Sequence, residues 1–226
     1  MLTLIHDYGN DLASFTVSVA LLLIYHGYLH YKVGKNRAYT IQAVNIMART
    51  AWVVTVMREG RDILAVQTLR NSTMAATFLA STSVLLIIGV LTLSGQTDKL
   101  EGAWHVLNTV GSKHPELWLA KLLLLLIDLF VAFFSFAMSI RIYNHVGYMI
   151  NVPLALNHRV ISPEHVAVHL NRAGKYYSIG MRAYYFSVPI VFWLFGPHLM
   201  LGATILLIAV LYHLDRAPKT LVRDYS

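Results

Sequence analysis

The stretch from Leu117 to Ile140, LWLAKLLLLLIDLFVAFFSFAMSI, decides the fold. It is apolar except for two serines and two charged side chains, Lys121 and Asp128. A helix needs about 20 residues to cross the hydrocarbon core of a bilayer, and this stretch is long enough. Since backbone N–H and C=O groups find no partner in lipid, the stretch must be helical. It therefore predicts a transmembrane helix.

Three more apolar blocks of sufficient length lie at about residues 12–31, 71–93 and 184–212. Barrel strands would be shorter and would alternate in polarity, which these blocks do not. The sequence thus predicts an all-α fold, an integral membrane bundle of four transmembrane helices that forms a single membrane domain over residues 1–226. The last block exceeds a straight crossing and contains Pro189 and Phe195-Gly196-Pro197, so we expect a kink or tilt there.

Composition supports the membrane interpretation and excludes several classes of function. Hydrophobic residues make up 57% of the chain and charged residues only 13%, against about 25% charged in soluble domains. Cysteine is absent, which excludes disulfides, thiolate metal sites and cysteine nucleophiles. The net charge of +7 is explained by basic loops that face anionic headgroups. We expect no nucleic-acid partner, because the chain has no nucleic-acid motif.

The distribution of Lys and Arg predicts the orientation. The loops at about 32–70 and 141–183 are basic, whereas Lys99 and Lys113 in the remaining loop are offset by acidic residues. The positive-inside rule places the basic loops in the cytoplasm and both termini outside, in a bacterial cytoplasmic membrane. The residues counted in the basic loops are Lys32, Lys35, Arg37, Arg49, Arg58, Arg61 and Arg70, then Arg141, Arg159, Arg172, Lys175 and Arg182. Those that offset the third loop are Asp98, Glu101 and Glu116.

Both basic loops contain amphipathic helical patterns. From Ala38 to Met57 the apolar residues recur at helical intervals, which predicts a helix at the membrane interface that ends near Gly60. Residues 61–69 then extend the second span into the cytoplasm. In the other loop, Ser162-Pro163-Glu164 predicts the start of a helix that runs to about Tyr176.

The leading candidate for chemistry is the third span. Lys121 and Asp128 lie seven residues apart, so they share nearly one helix face, and Asp128 falls near mid-membrane. A carboxyl group at that depth must face protein or water. It is either a proton- or cation-binding group or a hydrogen-bonded residue that fixes packing. Lys121 lies nearer the outer end, where it can also reach water.

A second candidate is a hydroxyl-bearing face of the second span. Thr73, Thr77 and Ser81 follow one another at intervals of four residues, on the face of Arg70. Such hydroxyls can line a polar pathway. Small and hydroxylated residues are also the ordinary material of close helix–helix contacts in membranes.

Two histidine pairs have the spacing of metal ligands. His26 and His30, and likewise His165 and His169, lie one helical turn apart, a spacing that can place two imidazoles on one metal. Each pair supplies only two ligands, and interfacial hydrogen bonding is the favoured explanation of both pairs. We therefore predict neither a metal site nor a cofactor.

The run Asp62–Met74, DILAVQTLRNSTM, continuing as AATFLASTSVLL, resembles the signature stretch of the domain-of-unknown-function 599 family of multi-pass membrane proteins. Other parts of the chain agree with it. They are Tyr25-His26 with Leu29, Ser139-Ile140-Arg141 with Asn144 and Ile150–Pro153, and Gly180-Met181-Arg182 with Tyr184, Tyr185, Pro189, Trp193 and Phe195-Gly196-Pro197. The resemblance implies a multi-pass membrane protein and no particular activity.

The polar residues within the matched stretches fall at the cytoplasmic mouth of the predicted bundle. They are Gln67, Arg70, Asn71, Arg141, Asn144, Asn151 and Arg182. Two interpretations fit them. They form a structural polar cap, or they bind a small anion or an anionic lipid headgroup, since Arg presents a bidentate fork.

Three functions remain open at this point. The first is a channel- or transporter-like subunit, a homo-oligomer because four helices enclose little pore. The second is an accessory or scaffold subunit of a larger membrane complex that binds lipid. The third is a haem- or quinone-binding membrane protein. An enzyme is disfavoured because the sequence offers no nucleophile–base pair.

Overall fold

The regular elements of the described chain are α-helices. The computed structural model describes residues 2–36, 38–95, 111–112, 114–154 and 161–218. Within these ranges the helices are α1 (Leu2–Lys35), α2 (Ile41–Glu59), α3 (Asp62–Ser94), α4 (Pro115–Met149), α5 (Pro163–Phe195) and α6 (Pro197–Leu214). The predicted all-α class is therefore confirmed for the described residues. Several charges used to predict the orientation lie outside them, namely Arg37, Asp98, Lys99, Glu101, Lys113 and Arg159.

The number of candidate spans differs from the predicted four. Among the described residues, five helices are long and apolar enough to cross a membrane, namely α1, α3, α4, α5 and α6. The predicted fourth block is divided at Gly196, whose φ of 148° suits a residue without a side chain. Pro197 then occupies the first turn of α6, where its missing N–H is harmless. The helix is therefore interrupted at Gly196-Pro197, while α5 continues through Pro189.

By its contacts the chain divides into two compact units. Unit 1 comprises Met1–Ile41, Leu86–Leu129 and Ala183–Ser226. It contains α1 and α6 complete, with parts of α3, α4 and α5. Tyr25 and Leu29 of α1 pack against Leu207 and Leu211 of α6 in a buried cluster.

Helices α1 and α6 of unit 1 end side by side. The Tyr25 hydroxyl donates to Asp215 Oδ2 at 2.8 Å. Beyond the two helices, Thr40 and Arg216 form an isolated antiparallel bridge, with the N–H of Ile41 on the carbonyl of Asp215 at 3.0 Å. The far end of α1 instead meets the start of α4, where the Tyr8 hydroxyl donates to Glu116 at 3.2 Å. The last described residues thus lie at the opposite end of unit 1 from Tyr8.

Unit 2 comprises Gln42–Leu85 and Phe130–Arg182 and has its own apolar core. Helix α2 contributes Val53, Val56 and Met57 to this core, from the side opposite the apolar face that was predicted to lie at the interface. Gly60, with φ 62°, ends α2 as predicted, and α3 begins two residues later. The core residues are Val53, Val56, Met57, Ala65, Leu69, Ile142, Tyr143, Val146, Met149, Ile150, Val166, Ala167, Leu170 and Ala173.

The predicted loop helix at 162–176 is the first half of α5. Ser162 caps it, since its hydroxyl accepts the N–H of His165 at 3.3 Å. The helix does not end at Tyr176 but runs to Phe195. Inside unit 2 it packs closely on α4 at Gly180, where an added Cβ would lie 2.8 Å from the Phe136 ring. Ser139 of α4 also donates to the carbonyl of Ala173 at 3.0 Å.

Candidate functional site

A buried ion pair joins α1 and α4 in unit 1. Lys121 Nζ lies 2.7 Å from Asp11 Oδ1, and their side chains are 3% and 1% exposed. Trp193 of α5 donates its indole N–H to the same oxygen at 2.7 Å, and the N–H of Ser112 donates to Asp11 Oδ2 at 2.7 Å. Lys121 also donates to the carbonyl of Trp193 at 3.2 Å. Both charges are therefore well supplied with partners, as burial requires.

Lys121 does not reach water, the alternative that the sequence left open. The sequence did not single out Asp11, because the predicted first span started one residue later, at Leu12. A signal was nevertheless present. Asp11, Ser14 and Ser18 lie on the same face of α1 as the buried Tyr25, at helical intervals.

Two turns from the ion pair, two buried oxygens have no partner. Asp128 Oδ2 and Ser18 Oγ are enclosed and make no hydrogen bond to any residue that the structure describes. Ser18 is 1% exposed, and Asp128 is half-buried.

The direction of the two helices places these oxygens at one level. Tyr8 meets Glu116 and Asp11 meets Lys121, so α1 and α4 run parallel. Ser18 follows Asp11 by seven residues, and Asp128 follows Lys121 by seven. Each therefore lies about 10.5 Å beyond the ion pair, at 1.5 Å per residue. We name Ser18 and Asp128 together the inner polar site.

The inner polar site offers oxygen atoms and no cation. A carboxyl oxygen without a partner in a low-dielectric interior is costly unless it is protonated or meets a cation or a water molecule. Such a group can take up and release a proton or a small cation. The ion pair is already satisfied by its own contacts and joins α1, α4 and α5.

The predicted hydroxyl face of α3 is directed away from the interior of unit 2. Thr77 and Ser81 are exposed and Thr73 is half-buried. The Thr77 hydroxyl donates to the carbonyl of Thr73 at 2.9 Å, one turn earlier on the same helix. The face therefore lines no path within the described part of this unit.

The seven residues of the predicted cytoplasmic cluster are divided between separate places in unit 2. Gln67 and Arg70 line a groove of about 370 Å³ on α3, whereas Arg141 and Asn144 line a pocket of about 580 Å³ between α4 and α5. The remaining three join neither of these. Asn71 is exposed on α3, Asn151 donates to the carbonyl of Gly147 at 3.0 Å, and Arg182 is half-buried on α5.

The histidine pairs do not complete a metal site in the described chain. Among the residues that the structure describes, no group of three or more His, Asp or Glu side chains is placed to hold a metal ion. His26 Nδ1 lies 2.8 Å from the carbonyl of Leu22, and His30 is exposed. His169 lies beside His145, with ring centroids 5.7 Å apart, while His165 is exposed.

A polar contact that the sequence did not predict joins α2 to α5 in unit 2. Arg49 Nε donates to Asn171 Oδ1 at 2.9 Å, and Asn171 donates to Thr50 Oγ1 at 3.0 Å. Burial lowers the pKa of the Arg49 guanidinium, and nearby Tyr143 opposes the shift. Gly174 makes room for this side chain, because an added Cβ would lie 2.5 Å from a guanidinium nitrogen of Arg49.

Comparison with known families identifies the chain. A family model described as "Protein of unknown function, DUF599" matches residues 13–220. The chain belongs to this family. The resemblance carried by Asp62–Met74 is thereby confirmed. No curated protein and no solved structure matches the chain. Of the residues described above, this DUF599 protein has Asp11 outside the matched range, whereas Ser18, Lys121 and Asp128 lie within it.

Proposed function

We propose that this DUF599 protein is a transporter-like membrane protein that binds a proton or a small cation at the inner polar site. The observation that carries the proposal is the pair of enclosed oxygens, Asp128 Oδ2 and Ser18 Oγ, that lack a partner among the described residues. Ionisable groups inside a membrane are expensive to keep, and they commonly mark ion or proton pathways.

The ion pair two turns from the inner polar site supports separate roles for the two groups, with the ion pair structural and Asp128 ion-binding. Asp11 and Lys121 satisfy each other and Trp193, so they fix the helices around Asp128. A neutral Asp128 is compatible with the surrounding apolar residues, and an ionised Asp128 requires a bound cation. Exchange between these two states is the elementary step of proton-coupled or cation-coupled transport.

The five spans support a revised orientation. In unit 1, Lys32 and Lys35 lie in the last turn of α1, and Arg216 lies over the Tyr39 ring at 5.6 Å, so this end is basic. The positive-inside rule assigns it to the cytoplasm. Five crossings then put the N-terminus outside and the C-terminus in the cytoplasm, whereas four crossings put both outside.

The exposed face of α3 supports a homo-oligomer. Thr73, Thr77 and Ser81 repeat a small residue every fourth position, the spacing that lets two membrane helices approach closely. Phe78, beside them, is 72% exposed. A second copy of the chain is the proposed partner, through a two-fold contact in which the same face meets itself.

Flux through liposomes tests the proposal. The purified protein is reconstituted with an internal pH-sensitive or sodium-sensitive dye, and entry of protons or sodium ions is driven by a potassium diffusion potential. We expect flux from the unaltered protein, loss of flux in Asp128→Asn, and reduced flux in Ser18→Ala. Asp62→Asn, which removes an exposed carboxylate from α3, serves as the matched control.

Infrared spectroscopy provides an independent readout of the inner polar site. A protonated carboxyl group has a carbonyl stretch separate from that of a carboxylate. In the unaltered protein this band should change with pH or with added cation, and Asp128→Asn should remove the change. An unaltered protein without flux and with a pH- and cation-insensitive spectrum would reject the proposal.

A further inference from the structure

We propose that the pocket between α4 and α5 in unit 2 binds the phosphate group of an anionic phospholipid. The pocket has a volume of about 580 Å³. Its polar lining consists of Arg141, Asn144, His145, Tyr148, His169 and Arg172. This site is separate from the inner polar site and does not depend on it.

The charge of the pocket selects an anion. Two guanidinium groups and two imidazoles face it, and no carboxylate is among the lining residues that the structure describes. Arg141 and Asn144 make no hydrogen bond or ion pair to any residue that the structure describes, and Arg172 contacts only the Tyr176 ring, at 5.9 Å. All three side chains are exposed. Since they do not bond to one another, as the structural cap requires, their donors are open to a ligand at the surface.

The geometry of the donors suits a phosphate. Arg presents a planar fork that binds two oxygens of one phosphate group. Arg141 and Arg172 stand on different helices, so they can approach a tetrahedral anion from two directions. His145 and His169 lie edge to face at 5.7 Å between ring centroids and add two ring nitrogens to the wall.

The surface beside the pocket indicates that the phosphate belongs to a lipid. Along α4, one stripe with spacings of three and four residues runs from exposed apolar side chains into the pocket. Val131 and Phe134 on this stripe are 45% and 61% exposed, and Met138 is the first residue of the pocket wall. The same stripe continues through Arg141, His145 and Tyr148.

The distances along that stripe match a phospholipid. Phe134 and Arg141 are two helical turns apart, about 10.5 Å along the axis. A phospholipid whose acyl chain packs against Val131 and Phe134 would therefore have its headgroup phosphate at the level of Arg141. A free phosphate ion would gain nothing from this apolar approach, so the headgroup is the source that the structure favours.

Lipid binding to the full-length protein tests the inference. The protein is purified in mild detergent, titrated with phosphatidylglycerol, and analysed by native mass spectrometry. The test variant is Arg141→Gln/Arg172→Gln. The matched control, Arg58→Gln/Lys175→Gln, removes two exposed charges from α2 and α5 that do not line the pocket. Loss of two charge-assisted contacts should weaken binding at least tenfold in the test variant only.

Competition distinguishes the two sources of phosphate. Millimolar inorganic phosphate should leave the bound lipid in place, and its displacement of the lipid would show that the pocket takes the free ion. Equal lipid retention by the test and control variants would overturn the inference. If the glutamine variant does not reach the membrane, Arg141→Lys/Arg172→Lys is used in its place. This variant keeps the positive charges but lacks the planar guanidinium groups that bind two oxygens at once. It should bind lipid several-fold more weakly than the unaltered protein, and unchanged binding would count against the site.

Discussion

Lys121 Nζ and Asp11 Oδ1 lie 2.7 Å apart, and both side chains are buried. The two residues are 110 positions apart in the chain, so their contact fixes how α1 lies against α4. A buried pair of this kind adds little stability over a well-packed apolar pair, but removal of one partner leaves an uncompensated charge. Asp11 and Lys121 should therefore behave as one unit under mutation.

Replacement of Lys121 tests that coupling. Lys121→Met should lower the free energy of unfolding by roughly 3–5 kcal/mol, because Asp11 then remains buried without its cation. The measurement is thermal or denaturant unfolding in mild detergent. The double variant Asp11→Asn/Lys121→Met should recover much of the loss. If the double variant loses as much stability as the Lys121→Met and Asp11→Asn variants together, the two residues are energetically independent.

The contact between Gly180 and Phe136 predicts a strong steric effect in unit 2. An added Cβ at Gly180 would lie 2.8 Å from the buried Phe136 ring, so Gly180→Ala should cost about 1–3 kcal/mol by overpacking. Gly147→Ala is the control, because nothing lies within 4 Å of its added Cβ. It should be neutral or slightly stabilising, since alanine favours a helix. The two melting temperatures, measured in one detergent, provide the comparison.

If all five candidate helices cross the membrane, as proposed, the two termini lie on opposite sides of it. A short tag placed before Met1 and another after Ser226 can be probed with a membrane-impermeant reagent in intact cells. The first tag should be labelled and the second protected until the membrane is opened. Labelling of both tags in intact cells would restore the topology with four spans.

The exposed hydroxyl face of α3 predicts a disulfide between copies. The chain contains no cysteine, so Thr77→Cys introduces a single thiol on the exposed face. Mild oxidation in membranes should give a covalent dimer, detected by non-reducing electrophoresis. Ala76→Cys is the control, because Ala76 is fully buried and lies about 100° around the helix from Thr77. Equal yields from both variants, or none from Thr77→Cys, would contradict the proposed interface.

Two local features of the sequence were predicted correctly, an end and a start of a helix. Gly60 ends α2 and Ser162 caps α5, as the turn and capping residues indicated. The break at Gly196-Pro197 lay in a stretch that was predicted to kink. The sequence alone did not show whether one helix kinks here or two helices meet, since the difference depends on the backbone conformation that Gly196 adopts.

The candidate site was predicted in part. Asp128 and Lys121 were singled out because a charge in an apolar span is visible in the sequence. Asp11 was not, because its burial depends on Lys121 and Trp193, which lie more than 100 residues away. Arg141 and Asn144 were identified, but their pocket neighbours His169 and Arg172 come from another helix.

The sequence by itself determined that the chain is helical, that it spans a membrane, and that it belongs to the DUF599 family. These conclusions follow from each segment taken alone, because the transfer of a long apolar helix into lipid depends on its own side chains. The tertiary structure alone decided which charges pair, which oxygens remain without partners, and which arginines share a pocket. Those properties arise from contacts between distant helices, and local composition does not encode the partner that packing brings to each side chain.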